Sequence, residues 1–223
     1  MALYADTAYL PDIAEVIRIV PLAGVTTNPS IMLAARERGQ NLAPIQLLRE
    51  MLQRLDGRTI FIQPGETEDE KMYRQVMTFI EVDPTRIVAK IPMTQSGIRV
   101  ARSLKRQWHR IAFTAVTSVS QAYVAAMVPA DFIIPYYSCL QRSGVEVDER
   151  IAEMAELFHN QQLPTRILAA SIKSPAEAVA ALAAGAHDIT ASPQVLLDMV
   201  NDVQTEEAIE KFTQDWQTLN SSQ

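Results

Sequence analysis

The chain has 223 residues, a formal net charge of −6 at pH 7, 48% hydrophobic and 21% charged residues, which allows a large core with no need for a disulfide or metal staple. A lone cysteine, Cys139, excludes an internal disulfide and fits a reducing compartment, read here as the cytoplasm. The acidic balance gives no electrostatic reason to expect nucleic acid, no stretch reaches the roughly 18 apolar residues of a membrane span, and Asp6 falls where an export signal needs an apolar core.

Short β-like runs alternate with helical patterns along the whole chain. The first run is Ala2 to Asp6, followed by a helix in which Ile13, Val16, Ile17 and Val20 recur at helical spacing. Leu22 to Val25 is the second, leading through "TTNPS" into helices that run to about Leu55, with Pro29 suited to a first helical turn. The third is "TIFIQ" (59–63), and the acidic "GETEDE" after it complements the positive end of a helix. "RIVAK" (86–90) is the fourth, with a helix from about Ser96 to Gln107 behind it. "RIAFT" (110–114), "DFIIPY" (131–136), "RILAAS" (166–171) and "HDIT" (187–190) complete the set, and a last helix spans about 205–219.

Eight β/α units with short connections and no linker predict one domain over residues 1–223, an α/β fold closed as a single (β/α)8 TIM barrel with an extra C-terminal helix. An open doubly wound sheet is the competing architecture, but no G-x-G-x-x-G follows any strand. The three histidines lie far apart, at no metal-ligand spacing. "SLKRQWHR" (103–110), the densest basic group, reads as a solvated helix end.

In such a barrel chemistry gathers where the strands end. Those ends carry Asp6, Thr26 with Asn28, Gln63, Lys90, Thr114, Tyr136 and Ser171. Lys90 is the unusual member, because it interrupts an apolar run with no carboxylate beside it, and burial of an unpaired ammonium is costly. Desolvation favours the neutral amine over the ammonium. A buried amine can attack a ketone and form a Schiff base, whose iminium draws electrons from an adjacent carbon–carbon bond. The alternative is a structural lysine paired with Asp6 across the barrel.

Several segments match a known family. "LYADT" (3–7), "PLAGVTTNPSI" (21–31), "IVAKIPMTQSG" (87–97), "FTAV" (113–116), "ILAASIKSP" (167–175) and "KFTQDWQ" (211–217) resemble the transaldolase family, and most closely its small branch containing fructose-6-phosphate aldolase. The resemblance implies a (β/α)8 barrel, no metal and no cofactor, with Lys90 as the Schiff-base lysine. It implies that Asp6 and Asn28 position the substrate hydroxyls and the amine, that Thr26 fixes the bound sugar, and that Gln63 and Thr114 hold a proton-shuttling water. Tyr136 is the implied general acid/base, and Ser171 with Lys173 half of a phosphate site.

Transaldolases of this family typically carry a glutamate at the position of Gln63 and a phenylalanine at that of Tyr136. The pair found here favours a class I aldolase acting with a dihydroxyacetone-type donor. A transaldolase passing that unit between sugar phosphates is the first alternative, and a catalytically inactive sugar-binding homologue the second. The family's phosphate-gripping arginine, three residues beyond the tyrosine, is Cys139 in this chain. A neutral thiol cannot replace a guanidinium fork, so weak binding of phosphorylated aldehydes is expected, unless Arg142 swings in from the following loop. "AIEKFTQDWQ" resembles a helix that small family members lay across a neighbouring subunit. That implies a homo-oligomer, a pentamer or a decamer of two, with packing on its own barrel as the alternative.

Overall fold

The eight apolar runs form eight strands, each hydrogen-bonded to the next, and the last pairs with the first to close the sheet in the computed structural model, which describes residues 1–142, 144 and 146–221. The strands are β1 (Leu3–Asp6), β2 (Leu22–Thr26), β3 (Thr59–Ile62), β4 (Ile87–Pro92), β5 (Ile111–Val116), β6 (Phe132–Pro135), β7 (Arg166–Ile172) and β8 (Asp188–Ala191). All neighbouring pairs are parallel. Helices fill every connection: α1 (Leu10–Val16), α2 (Pro29–Glu37), α3 (Pro44–Arg54), α4 (Asp69–Ile80), α5 (Gln95–Lys105), α6 (Val119–Met127), α7 (Tyr137–Arg142), α8 (Val147–Asn160), α9 (Pro175–Ala183) and α10 (Pro193–Asp198). The open doubly wound sheet is thereby excluded, and the architecture is a (β/α)8 barrel followed by one more helix, α11 (Val203–Ser221).

The pleat sorts side chains by parity. Ile87, Ala89 and Ile91 of β4 face outward and join a core shared with the helices, alongside Leu48, Met72, Val100 and Leu104. Val88 and Lys90 alternate with them and face inward. A separate cluster of strand residues fills the interior: Tyr4, Phe61, Val88, Ala112, Phe132, Ile134, Leu168 and Ala170. Tyr4 meets Phe61 edge-on with centroids 5.2 Å apart, and Phe61 meets Phe132 at 5.0 Å. Each such pair contributes about 0.5–1.5 kcal/mol beyond the area it buries.

Local choices fix the strand ends that matter. Thr94 caps α5 by accepting the Gly97 N–H at 3.0 Å. Gly97 sits so close to the end of β4 that a Cβ there would stand 2.0 Å from the Pro92 carbonyl oxygen. Only glycine allows the helix to start this near the strand carrying Lys90.

Two boundaries differ from the sequence expectation in ways that bear on the site. The β3 ladder stops at Ile62, one residue short of Gln63, and Pro64 follows, which has no N–H to continue the pairing. Helix α11 is longer than expected and none of its residues is buried. Ile209, Phe212, Trp216 and Leu219 are each more than half exposed, so this helix does not pack on its own barrel.

Candidate active site

Lys90 enters the barrel interior near the carboxyl end of β4, where its strand neighbour is Ala112. It is 1% exposed and among the largest fully buried side chains. Among the described residues it forms no ion pair, which removes the structural pairing with Asp6. Its Nζ lies 5.7 Å from the centroid of the Tyr136 ring, within the range of a cation–π contact.

A cavity of about 300 Å3 opens above it, lined by Asp6, Asn28, Lys90, Tyr136, Cys139, Ser171 and Lys173 together with Ser30, Ile31, Ala34 and Ala170. Six of the residues singled out from the sequence therefore share one space: Asp6, Asn28, Lys90, Tyr136, Ser171 and Lys173. Two more support it from behind. Thr26, fully buried, donates its hydroxyl to Asp6 Oδ1 at 2.6 Å, and Thr114, 1% exposed, donates to the Tyr136 phenolic oxygen at 3.0 Å.

Counting protons shows what each group offers. Asn28 is the N-cap of α2, and its side-chain carbonyl accepts the Ile31 N–H at 3.0 Å, so toward the cavity it has its amide donors. Tyr136 already accepts from Thr114, which leaves its own O–H to point elsewhere. Thr26 gives its single proton to Asp6. The 2.6 Å contact between Thr26 Oγ1 and Thr190 Oγ1 must then be donated by Thr190. The result is a buried chain running Thr190 to Thr26 to Asp6.

Gln63 is the exception among the expected residues. It lines a neighbouring cavity of about 290 Å3 walled by Met32, Leu33, Leu42, Leu47 and Phe79, and its Oε1 is buried with no hydrogen-bond partner among the described residues. It does not line the Lys90 cavity. The cause is the early end of β3: beyond Ile62 the pleat no longer dictates an inward side chain.

Thr190 was missed by sequence reasoning, although the rule that found the others applies to it: it closes the polar end of the eighth run. Cys139 lines the cavity where the family's arginine is expected. The Arg142 guanidinium, from the next turn of α7, reaches back and donates to Cys139 Sγ at 3.3 Å, while Sγ lies 3.8 Å from the Ser171 hydroxyl. Arg142 is exposed. Among the described residues no three His, Cys, Asp or Glu side chains are grouped to hold a metal.

The fold and site define a closed parallel (β/α)8 barrel whose mouth holds a buried lysine, without an ion pair among the described residues, beside hydroxyl, amide and carboxylate groups. Comparison with known proteins makes this specific. Residues 3–223 match the family described as Transaldolase/Fructose-6-phosphate aldolase. A "Probable transaldolase" of Desulforudis audaxviator (strain MP104C) is 35% identical over 219 residues, 98% of this chain and 99% of that protein. The chain belongs to the transaldolase/fructose-6-phosphate aldolase family, a family of enzymes. Among solved structures, flavocytochrome b2 variants with sulfite or pyruvate bound superpose with a TM-score of 0.63 at 11% identity, covering 88% of this chain and 58% of theirs. The recombinant flavin-binding domain of the baker's yeast protein gives 0.61. At that identity the likeness is one of fold alone, and the chain spans little more than half the length of those structures.

Proposed function

We propose that the protein is a class I aldolase that uses Lys90 to cleave or form a carbon–carbon bond with a dihydroxyacetone-type donor, as fructose-6-phosphate aldolase does. The observation that carries this reading is a lysine buried to 1% exposure, with no ion pair among the described residues, opening into a cavity with Asp6, Asn28 and Tyr136. An amine in so dry a place gains nothing for the fold and is suited to covalent chemistry.

In the cleavage direction the Lys90 amine adds to the C2 ketone of the sugar, and loss of water gives an iminium. Tyr136, its own O–H proton passed to a water at the mouth, takes the proton of the C4 hydroxyl. The C3–C4 bond breaks, its electron pair moves into the iminium to give an enamine, and the aldehyde departs. Protonation at C3 and hydrolysis return the free amine and dihydroxyacetone. Asp6, held by Thr26, and the Asn28 amide bind the donor hydroxyls. Thr114 steadies the phenolic oxygen as it exchanges its proton.

Transfer of the three-carbon unit between sugar phosphates is the second reading, supported by the 35% identical relative's description as a transaldolase. Tyr136 favours the aldolase: it places an ionisable phenol at the reacting end. The pairing of Gln63 with Thr114 around a shared water has less support, because Gln63 lies in the adjoining cavity.

Ser171, Lys173 and the returning Arg142 face the distal end of the substrate. Because Arg142 reaches Cys139 from the solvent side, its charge is screened, and we expect a weak grip on phosphate and good acceptance of unphosphorylated aldehydes. The protein would work in the cytoplasm as one barrel per subunit. The exposed Ile209–Phe212–Trp216–Leu219 stripe of α11 would pack on a neighbouring copy in a pentamer or decamer.

Borohydride trapping with dihydroxyacetone, read by mass at Lys90, tests the chemistry, and no adduct would sink it in favour of an inactive sugar-binding homologue. Cleavage that requires an added aldehyde would make the protein a transaldolase. A strong kinetic preference for glyceraldehyde 3-phosphate over glyceraldehyde would refute the view of the distal end.

A further inference from the structure

Ser171 is where β7 leaves the regular sheet. Its φ is 62°, in the left-handed region that a residue with a Cβ disfavours, and the pairing with β8 slips between Ala169 and Ile172. A serine persists there only where its surroundings over-determine it. A strut joining three elements does so. Ser138 on α7, 4% exposed, donates to the Ser171 carbonyl at 2.7 Å and lies 2.9 Å from Glu177 Oε2 on α9. The same carboxylate oxygen accepts the Lys173 backbone N–H at 2.8 Å. Ser138 has one hydroxyl proton for its two acceptors, so the bond is three-centred and the carboxylate is anchored from both sides.

Helix capping does not explain Glu177. Ser174 and Glu177 have capping-box spacing, and the Ser174 hydroxyl accepts the Glu177 N–H at 3.2 Å. The reciprocal bond of a capping box would run from the carboxylate to the Ser174 N–H. Here the carboxylate goes one residue further, to Lys173, and across to α7. A side chain placed to finish a helix is used instead to tie the loop after β7 to the loop after β6, the two segments that bring Tyr136, Cys139, Ser171 and Lys173 to the cavity.

We infer that Ser138 and Glu177 are positioning residues that set the cavity's specificity for the aldehyde half, a short hydroxylated aldehyde with a polar or anionic distal group, by holding Ser171 and Lys173 toward it. This rests on the aldolase reading, in which the ketone half binds at Lys90. The strut touches the opposite end of the cavity lining and does not contact Lys90, Asp6 or Asn28. Its loss should therefore act on one substrate and spare the other.

The experiment compares wild type with Ser138→Ala, Glu177→Ala and Glu177→Gln in the direction of bond formation, at saturating dihydroxyacetone. Loss of a bond to a charged group should raise the aldehyde KM about tenfold in the two alanine variants, with kcat and the rate of borohydride-trapped adduct at Lys90 within about twofold of wild type. Glu177→Gln keeps an acceptor for the Lys173 N–H and should restore most of the aldehyde affinity. An unchanged aldehyde KM in Ser138→Ala overturns the inference, and so does a fall in trapping parallel to the rise in KM, which would mark a general structural role. Should Glu177→Ala fail to fold, Ser138→Ala and Glu177→Gln decide the matter alone. Wild type that traps no dihydroxyacetone is a different failure, that of the aldolase reading itself.

Discussion

Replacing Lys90 by methionine should leave the protein as stable or make it more so while removing its chemistry. The wild-type side chain is 1% exposed, has no ion pair among the described residues, and its recorded polar partner is the Tyr136 ring at 5.7 Å. Exchanging buried charge for an apolar side chain of similar volume typically stabilises by about 1–4 kcal/mol. Against this stands the lost cation–π attraction, on the order of 1 kcal/mol. Asp6 keeps its hydrogen bond from Thr26, so the substitution leaves it solvated on one side and bonded on the other. A net gain of about 0–3 kcal/mol, at about 2–4 °C per kcal/mol for a chain of this size, leaves Tm unchanged or raises it by up to roughly 12 °C. Differential scanning calorimetry on both proteins measures the shift, and borohydride trapping with dihydroxyacetone confirms the loss of adduct. A Tm several degrees below wild type would refute the reasoning, because it would mean that the lysine holds the barrel together.

Three other outcomes are expected. Thr190→Val removes the donor at the head of the chain to Asp6 and should lower stability by about 1 kcal/mol and kcat severalfold, measured by urea unfolding and steady-state rates; unchanged kcat would mean that Thr26 alone orients the carboxylate. His187 accepts the Ile167 N–H at Nδ1 at 3.0 Å, and burial, then the nearby Arg166 charge, hold its pKa below the ordinary value. The unfolded chain therefore takes up that proton first as pH falls, so the stability His187 contributes is full above about pH 6.5 and is lost below it; in His187→Gln, thermal melts between pH 7 and 5 should show a shallower slope. Ending the chain at Asp202 should leave folded barrels of monomer mass by light scattering, whereas an unchanged assembly would show that α11 is not the interface.

All eight strands were legible because a strand buried on both faces reads as a short apolar run, and each run here is followed by a helical pattern. The site was legible for a related reason: a polar residue at the end of such a run is conspicuous, and Asp6, Lys90 and Tyr136 stand out for that. Gln63 falls outside the Lys90 cavity because the same rule assumes that the ladder reaches the residue, and β3 ends at Ile62 with Pro64 close behind. Ser138 and Glu177 carried no such signal. Ser138 sits in a six-residue helix, and Glu177 looks like a helix cap. Their pairing depends on how α7 and α9 meet across β7, which is a tertiary fact.

The aromatic floor of the barrel explains why the chemistry can reside at one end only. Tyr4, Phe61 and Phe132 interlock in one interior cluster with Val88 and Ala112, Phe61 level with Val88 and Phe132 level with Ala112, and Lys90 lines the cavity at the strand ends beyond Val88. At the mouth the fixed protons all run toward the protein: Thr190 to Thr26 to Asp6, the Ile31 N–H to Asn28, and Thr114 to Tyr136. Beside the Asp6 carboxylate and the Cys139, Ser171 and Lys173 side chains, these bonds leave the lysine amine, the asparagine amide and the phenol O–H facing the cavity. With Gln63 turned into the adjoining space, Tyr136, whose ring centroid lies 5.7 Å from Lys90 Nζ, is a group in this cavity that can both give and take a proton. A phenylalanine there would leave Thr114 without that acceptor and, on the aldolase reading, the C4 hydroxyl without its proton acceptor. Tyr136→Phe should thus slow bond cleavage far more than imine formation, and equal slowing of both would move the proton transfer to another residue.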